Sequence, residues 1–225
     1  MKRNTTISAI LAAVFVTVVL VALNLTSGPG AADAEPQPGG SPSASSQGRL
    51  VRVDSHRLSS ATDEKVTLVE FLDFECESCR AAYPLVEQLR KDYAGKVTFV
   101  IRYFPIQSHK NANNAAVAVE AAARQGKLEQ MYTQMYETQA QWGEKQTSQA
   151  PLFRTFALML GLDMDAYDAA VKDPATLSRV EKDRQDGLAL GVQGTPTFFL
   201  NGKQLMPNSE EEFRAAIDAA LSSVR

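Results

Sequence analysis

The chain has 225 residues, enough for one domain plus an appendage, and its hydrophobic content of 44% is sufficient for a sizeable core. A formal net charge of −3, without a basic run or a basic–aromatic pattern, gives no indication of nucleic-acid binding.

The N-terminal segment combines basic and apolar residues. Lys2 and Arg3 precede an apolar stretch from Ile7 to Leu25, and no Lys or Arg follows it closely. This asymmetry predicts a cytoplasmic N-terminus and an extracytoplasmic remainder. The stretch is long for a signal peptide and just sufficient for a transmembrane helix, which needs about 20 residues. Two alternatives stay open: an uncleaved membrane anchor over residues 1–25, or a signal cleaved near Ala32–Ala34, which would give a secreted protein.

Residues 26–48 are rich in Gly, Pro and Ser and contain almost no large apolar side chain. Such a segment cannot bury a core, so a disordered linker is predicted. A flexible chain of this length has a reach of roughly 30 Å, which is sufficient to hold a domain away from a membrane. The folded domain is therefore predicted to span residues 49–225.

The first predicted elements of this domain form a β-α-β unit. Val66–Phe71 is apolar, β-branched and aromatic, as expected of a buried strand. Apolar residues at helical spacing predict a helix from Cys76 to Asp92, and Val97–Tyr103 is predicted to be the second strand. The short crossover between them predicts a parallel pair of strands.

A helical block over about residues 107–190 follows, with five segments of helical periodicity. Thr197–Leu200 is then predicted to be a strand, joined through Asn201-Gly202 to a return strand over Lys203–Met206. Ser209, with a Glu three residues later, predicts a capping box before a last helix. The order β-α-β, helical block, β-β-α is that of an α/β thioredoxin fold with an inserted helical subdomain.

The only two cysteines of the chain, Cys76 and Cys79, lie where the first predicted strand gives way to a helix. A C-x-x-C at the first turn of a helix is typical of a thiol–disulfide redox centre. A static disulfide between them would close a very short loop and stabilise little. Zn²⁺ would have only two good ligands here, short of the usual four. A redox pair is therefore the favoured interpretation.

The run Val69–Cys79, together with the downstream run Gly194–Phe199, resembles the DsbA-like thiol–disulfide oxidoreductases of the thioredoxin superfamily. The resemblance covers about residues 50–225 and is greatest to the membrane-anchored or secreted proteins of Gram-positive bacteria. It implies that Cys76 is the exposed attacking thiolate and that Cys79 is the buried resolving thiol.

The resemblance also implies roles for residues outside the cysteine pair. Pro196 matches the family's cis-proline, and Gly194 and Thr195 before it would bind an unfolded substrate as an extended strand. Glu70 matches the family's buried acid, a candidate proton relay for Cys79. The alternative for Glu70 is a structural salt bridge with Arg102 on the neighbouring strand. No bound cofactor is implied.

The function that the resemblance implies is disulfide formation in unfolded or reduced exported proteins. A membrane partner of the DsbB or vitamin K epoxide reductase (VKOR) type would reoxidise the cysteines. Two alternatives stay open: a reductase or isomerase of the same fold, and a non-catalytic module that binds unfolded chains beside Pro196.

Several residues outside these motifs have structural interpretations. His56 and His109 are predicted to have surface or capping roles, and the stripe Met131–Tyr136 is predicted to be helix core. For three aromatic residues, two roles stay open, an apolar rim of the redox site or core packing; they are Phe74, Phe104 and Phe198.

The residues around the cysteines predict a milder oxidant than proteins with Cys-Pro-His-Cys. Glu77 and Ser78 replace the Pro-His pair, and the charges of Glu75 and Glu77 disfavour a neighbouring thiolate. Each pKa unit of the attacking cysteine corresponds to about 30 mV. A glutathione redox titration should therefore give a potential several tens of millivolts below about −120 mV. A potential as high as that value would contradict the prediction.

Overall fold

The computed structural model describes residues 44–224. The predicted anchor or signal segment, residues 1–25, lies outside the described residues, as does the linker up to residue 43. In the described part of the chain, no helix is both long enough and apolar enough to cross a membrane. The elements are α1 (Ala44–Leu50), β1 (His56–Ser59), β2 (Thr67–Leu72), α2 (Glu77–Asp92), β3 (Thr98–Tyr103), α3 (Ala112–Ala123), α4 (Leu128–Trp142), α5 (Ala150–Met159), α6 (Met164–Lys172), α7 (Pro174–Ala189), β4 (Thr197–Leu200), β5 (Lys203–Leu205) and α8 (Glu210–Ser223).

The strands form one sheet in the order β1-β3-β2-β4-β5. Strands β2 and β3 are parallel, whereas β4 pairs antiparallel with β2 and β5 pairs antiparallel with β4. Asn201 and Gly202 both have positive φ, as a two-residue hairpin turn of this kind requires. The predicted α/β thioredoxin-like fold, with its parallel pair and its terminal hairpin, is therefore confirmed.

Strand β2 has apolar side chains on both faces because both faces of the sheet are covered. Leu68 and Leu72 point into the larger core, which includes α2 and the inserted helices α3–α7. Val69 and Phe71 point into a smaller core on the other face. Side chains alternate along a strand, so Glu70 lies on the face of the larger core, which also contains Cys79.

The helical insertion packs its apolar stripes inward, as predicted. Met131, Tyr132, Met135 and Tyr136 of α4 are all buried in the larger core. The predicted cap of the last helix is present but differs in detail. Ser209 accepts the N–H of Glu212, whose carboxylate accepts the N–H of Asn208 rather than that of Ser209. The reciprocal bond of the capping box is thus displaced by one residue.

Two elements were not predicted. Strand β1 pairs antiparallel with β3, and α1 begins at Ala44, inside the segment predicted to be a disordered linker. The prediction of a disordered linker is therefore wrong for residues 44–48. The physical reason is a tertiary contact at the end of α1: Leu50 is buried, and the guanidinium of Arg102 donates to the carbonyl oxygens of Arg49 and Leu50.

Arg102 is fully buried and its three guanidinium nitrogens all have partners. Nε donates to Asp183 Oδ1 at 2.8 Å and Nη2 to Asp186 Oδ2 at 2.6 Å, both on α7. Arg102 faces away from Glu70 because the register places Glu70 opposite Ile101 and Arg102 opposite Phe71. The alternative salt bridge between Glu70 and Arg102 is therefore wrong.

Replacing this buried arginine should strongly destabilise the fold. Arg102→Leu leaves two buried carboxylates and two helix-terminal carbonyls without their main donor, a change that costs about 3–5 kcal/mol. In denaturant unfolding, Arg102→Leu should have a much lower midpoint concentration than the wild type. The slope of its free energy of unfolding against denaturant concentration should be no steeper. Arg154→Gln is the matched control, since Arg154 pairs with Asp168 at the surface and should leave the midpoint nearly unchanged. Equal midpoints for the two variants would contradict this account.

Candidate redox site

The loop between β2 and α2, residues Asp73–Cys76, carries the first cysteine to the start of a helix; it is called the redox loop below. Cys76 is the N-cap residue of α2, with an extended backbone, and its side chain caps no N–H group. Cys76 is partly exposed, Cys79 is 1% exposed, and both are free thiols. The two cysteines are thus one accessible and one buried sulfur, a turn of helix apart, as the resemblance implies.

The downstream proline motif lies directly beside Cys76. The Thr195–Pro196 peptide bond is cis, and the Cys76 thiol donates to the carbonyl oxygen of Thr195 at 3.3 Å. Gly194 closes the turn before the proline, since its carbonyl oxygen accepts the Thr197 hydroxyl at 2.7 Å. The structure therefore brings together the two motifs that the sequence separates by more than a hundred residues.

The environment of Cys76 favours its thiolate. Hydrogen bonding from the Cys79 side chain is the largest cause that lowers the pKa of Cys76 to about 5. Partial burial opposes this shift, while the Thr195 side chain and the N–H groups of Cys79 and Ser78 reinforce it. These N–H groups belong to the first turn of α2, whose positive dipole end faces the sulfur.

Cys79 and Glu70 are shifted in the opposite direction. Burial raises the pKa of Cys79 well above its ordinary value. Its hydrogen bond to the Cys76 side chain and the charge of Glu70 raise this pKa further. Glu70 is 5% exposed, and burial, with smaller contributions from Glu87 and Cys76, raises its pKa from 4.5 to about 8. At neutral pH, Glu70 is therefore mostly protonated, on the same face of the sheet as the buried Cys79 thiol.

The acidic residues near the motif affect the thiolate less than the sequence suggests. Glu77 and Ser78 are both exposed to solvent, and Ser78 acts on Cys76 through its backbone N–H. Glu75 is buried, and its carboxylate accepts the N–H of Asn111 at 2.6 Å, at the start of α3. The positive end of that helix offsets the Glu75 charge.

Three polar residues of the site were missed by sequence reasoning because no motif marks them. Asp73 accepts the N–H groups of Glu75 and Ile106 and pairs with His109, whose Nδ1 lies 2.7 Å from Asp73 Oδ2. The bond to Asp73 raises the pKa of His109 to about 8. Gln139, on α4, donates to two carbonyl groups of the redox loop. The other histidine, His56, pairs instead with Glu120 at 2.6 Å.

The three aromatic residues with open roles are all buried in core packing. Phe74 contacts Tyr136 with ring centroids 5.2 Å apart, Phe104 packs on Phe71, and Phe198 packs on Phe213. The exposed apolar side chain near the proline motif is instead Met206, which is 78% exposed and lines a shallow groove beside Pro196. The groove is thus lined by the proline motif on one side and by β5 and the residues after it on the other.

Replacing Glu70 should remove a pH dependence of stability. Because the folded pKa of about 8 exceeds 4.5, the native state holds a proton that the unfolded state releases, so stability falls as pH rises between these values. The slope is about 1.4 kcal/mol per pH unit. The free energy of unfolding of reduced Glu70→Gln, minus that of the reduced wild type, should therefore increase from pH 5 to pH 8. A pH-independent difference would contradict the high pKa of Glu70.

A protein-family model described as Thioredoxin matches residues 58–219 of the chain. Among curated proteins, the Na(+)/H(+) antiporter NhaA 1 of Mycobacterium sp. (strain KMS) is 33% identical over 147 residues, 63% of this chain and 23% of that protein. The Na(+)/H(+) antiporter NhaA 3 of Salinispora tropica is 35% identical over 180 residues, 78% of this chain and 26% of that protein. The chain spans about a quarter of the length of these relatives.

Several solved structures share the fold. BdbD from Bacillus subtilis in its oxidised form has a TM-score of 0.67 and 22% identity, covering 81% of this chain and 97% of that chain. A thioredoxin-like oxidoreductase from Silicibacter pomeroyi has a TM-score of 0.65 and 25% identity, covering 78% and 98%. The α-DsbA1 protein of Wolbachia pipientis has a TM-score of 0.68 and 18% identity, covering 80% and 96%.

Proposed function

This chain belongs to the thioredoxin family, and from this premise we propose that it is a DsbA-like thiol–disulfide oxidoreductase that forms disulfide bonds in exported proteins outside the cytoplasm. The observation that carries the proposal is the asymmetry of the cysteine pair. Cys76 is accessible with a pKa of about 5, whereas Cys79 is buried with a raised pKa. A thiol of low pKa is a good leaving group, so an oxidised pair passes its disulfide on readily.

The proposed reaction has two exchanges. A substrate thiolate attacks the Cys76 sulfur of the oxidised pair, the Cys76–Cys79 bond breaks, and a mixed disulfide with Cys76 forms. Cys79 leaves as a poor, high-pKa thiolate, so it needs a proton, which the protonated Glu70 beneath it supplies. A second substrate thiolate then attacks the substrate sulfur of the mixed disulfide, which releases Cys76 as a thiolate. The substrate loses two electrons and the cysteine pair gains them.

The pKa of Cys76 sets the expected strength of the oxidant. A pKa of about 5 lies between the value of about 3.5 for DsbA and about 7 for thioredoxin. Because each pKa unit corresponds to about 30 mV, the pair should be less oxidising than DsbA by some tens of millivolts. This direction agrees with the milder oxidant predicted from the sequence.

The groove beside Pro196 is the proposed binding site for the substrate. Thr195 lies two residues before β4 with its carbonyl directed to Cys76, so an extended chain that pairs with its backbone would place a cysteine near that sulfur. Such pairing uses main-chain bonds and so accepts many unfolded sequences. Met206 offers an adaptable apolar contact beside the groove.

The proposed setting follows from the sequence outside the described residues. The apolar segment within residues 1–25 would either anchor the protein, with its N-terminus in the cytoplasm, or be removed on secretion. Each cycle leaves the pair reduced, so an electron acceptor is required. A membrane protein of the DsbB or VKOR type would serve in that role.

Thiol trapping in cells, combined with an oxidation assay in vitro, tests the proposed direction. The Cys76–Cys79 pair should be mostly oxidised in cells, and the oxidised protein should form disulfides in a reduced, unfolded model substrate. Cys76→Ala should abolish this activity, and Cys79→Ala should accumulate mixed disulfides with substrates through Cys76.

Three results would contradict the proposal. A mostly reduced pair in cells, together with efficient reduction of insulin disulfides, would assign a reductase. Net rearrangement of scrambled disulfides by the reduced protein would assign an isomerase. Unchanged suppression of substrate aggregation by Cys76→Ala, without oxidation by the wild type, would assign a non-catalytic binding module.

A further inference from the structure

One buried residue of the helical insertion departs from the apolar pattern of its helix. On α4, the inward stripe that contains Tyr132 and Tyr136 continues to Gln139, which is 2% exposed. An amide side chain buried in apolar surroundings is destabilising unless its donors are satisfied. The presence of a glutamine here therefore calls for specific hydrogen-bond partners.

Those partners are the backbone of the redox loop. Gln139 Nε2 donates to the carbonyl oxygen of Phe74 at 2.7 Å and to that of Cys76 at 2.9 Å. A primary amide nitrogen has two hydrogens, so both bonds can form at once. The side chain thus connects two peptide groups on either side of Glu75, and one of them belongs to the attacking cysteine itself.

The carbonyl of Cys76 is a sensitive point for such a contact. It also accepts the N–H of Arg80 at 3.1 Å, the first hydrogen bond of α2. The backbone of Cys76 is extended, with φ −70° and ψ 122°, and the sulfur lies at the N-terminal end of α2, hydrogen-bonded to the Thr195 carbonyl at 3.3 Å. A rotation about ψ of Cys76 would displace its carbonyl from Gln139 and change the direction in which the helix N-terminus meets the sulfur.

Other contacts hold the same loop but act on its earlier residues. The carboxylate of Glu75 accepts the N–H of Asn111, and that of Asp73 accepts the N–H of Ile106. These bonds fix where the loop lies against the segment after β3. The Gln139 amide adds a restraint on the peptide group of Cys76.

We propose that Gln139 is a positioning residue for the redox centre, which holds the Cys76 peptide so that the sulfur stays in place at the N-terminal end of α2. It does not contact the reacting atoms. The inference rests on the proposed function only in that the Cys76–Cys79 pair exchanges disulfides. It gives the helical insertion a role in setting the redox potential, separate from its contribution to the core.

Gln139→Met tests the inference, because methionine has a similar length and volume but no donor. The pKa of Cys76, measured by thiolate absorbance in the reduced protein, should rise by about one unit. The equilibrium constant for oxidation of glutathione by the disulfide should fall about tenfold, which is about 30 mV. Gln139→Asn, which keeps the amide but shortens the side chain so that it cannot span both carbonyls, should shift both quantities in the same direction.

Thr176→Val is the matched control. Thr176 is a buried residue of the same insertion whose hydroxyl donates to the Ala170 carbonyl at 2.6 Å and not to the redox loop. It should lower the denaturation midpoint while leaving the pKa of Cys76 and the potential at the wild-type values. If Gln139→Met does not fold, Gln139→Asn gives the deciding result.

The outcomes separate this inference from the proposed function. Wild-type pKa and potential in a folded Gln139 variant, or an equal shift in Thr176→Val, would overturn the positioning role even if the wild type oxidises substrates in cells. The expected shifts, together with a wild type that is reduced in cells, would support the positioning role and overturn only the proposed direction.

Discussion

The position of the redox site depends on strand β2, which is hydrogen-bonded on both edges and buried on both faces. Its parallel pairing with β3 and its antiparallel pairing with β4 fix the register of these three strands. Because Phe71 lies opposite Thr197, the residues before β4 emerge at the end of the sheet where β2 passes into the redox loop. The contact between Cys76 and Thr195 follows from that register. A shift of this register by one residue would move every side chain of β2 to the opposite face of the sheet, and Glu70 would then lie away from Cys79.

The same geometry shifts the pKa values of the two cysteine thiols in opposite directions. Cys76 lies at the edge of the core, where the N–H groups of α2 stabilise negative charge. Cys79, three residues later, lies inside the core beside Glu70, where burial disfavours a charge on either group. One sulfur is therefore a ready leaving group, and the other requires a proton. The depth of each residue in the core produces this difference.

Motifs and periodicity were sufficient for most of the fold. Val66–Phe71 and Val97–Tyr103 were predicted within a residue of β2 and β3, because buried parallel strands have long apolar runs. Helix α1 and strand β1 were missed because their stability comes from distant partners, such as Arg102 beneath the end of α1 and β3 beside β1. The pairing suggested for Glu70 and Arg102 failed for a related reason. Adjacent strands bring residues close, but the register decides which of them share a face.

The sequence by itself determined the chemistry of this protein: two cysteines at a helix start, an acid on the preceding strand and a proline before a later one. The cysteine pair needs only local spacing and composition, whereas the roles of Glu70 and Pro196 are what the resemblance to the DsbA-like proteins implies. The tertiary structure decided how the site is held and tuned. It buried Glu75 against α3 instead of leaving its charge beside the thiolate, and it brought His109 to Asp73 and Gln139 to the Cys76 carbonyl. Such contacts join residues that only packing makes neighbours, so no local pattern records them.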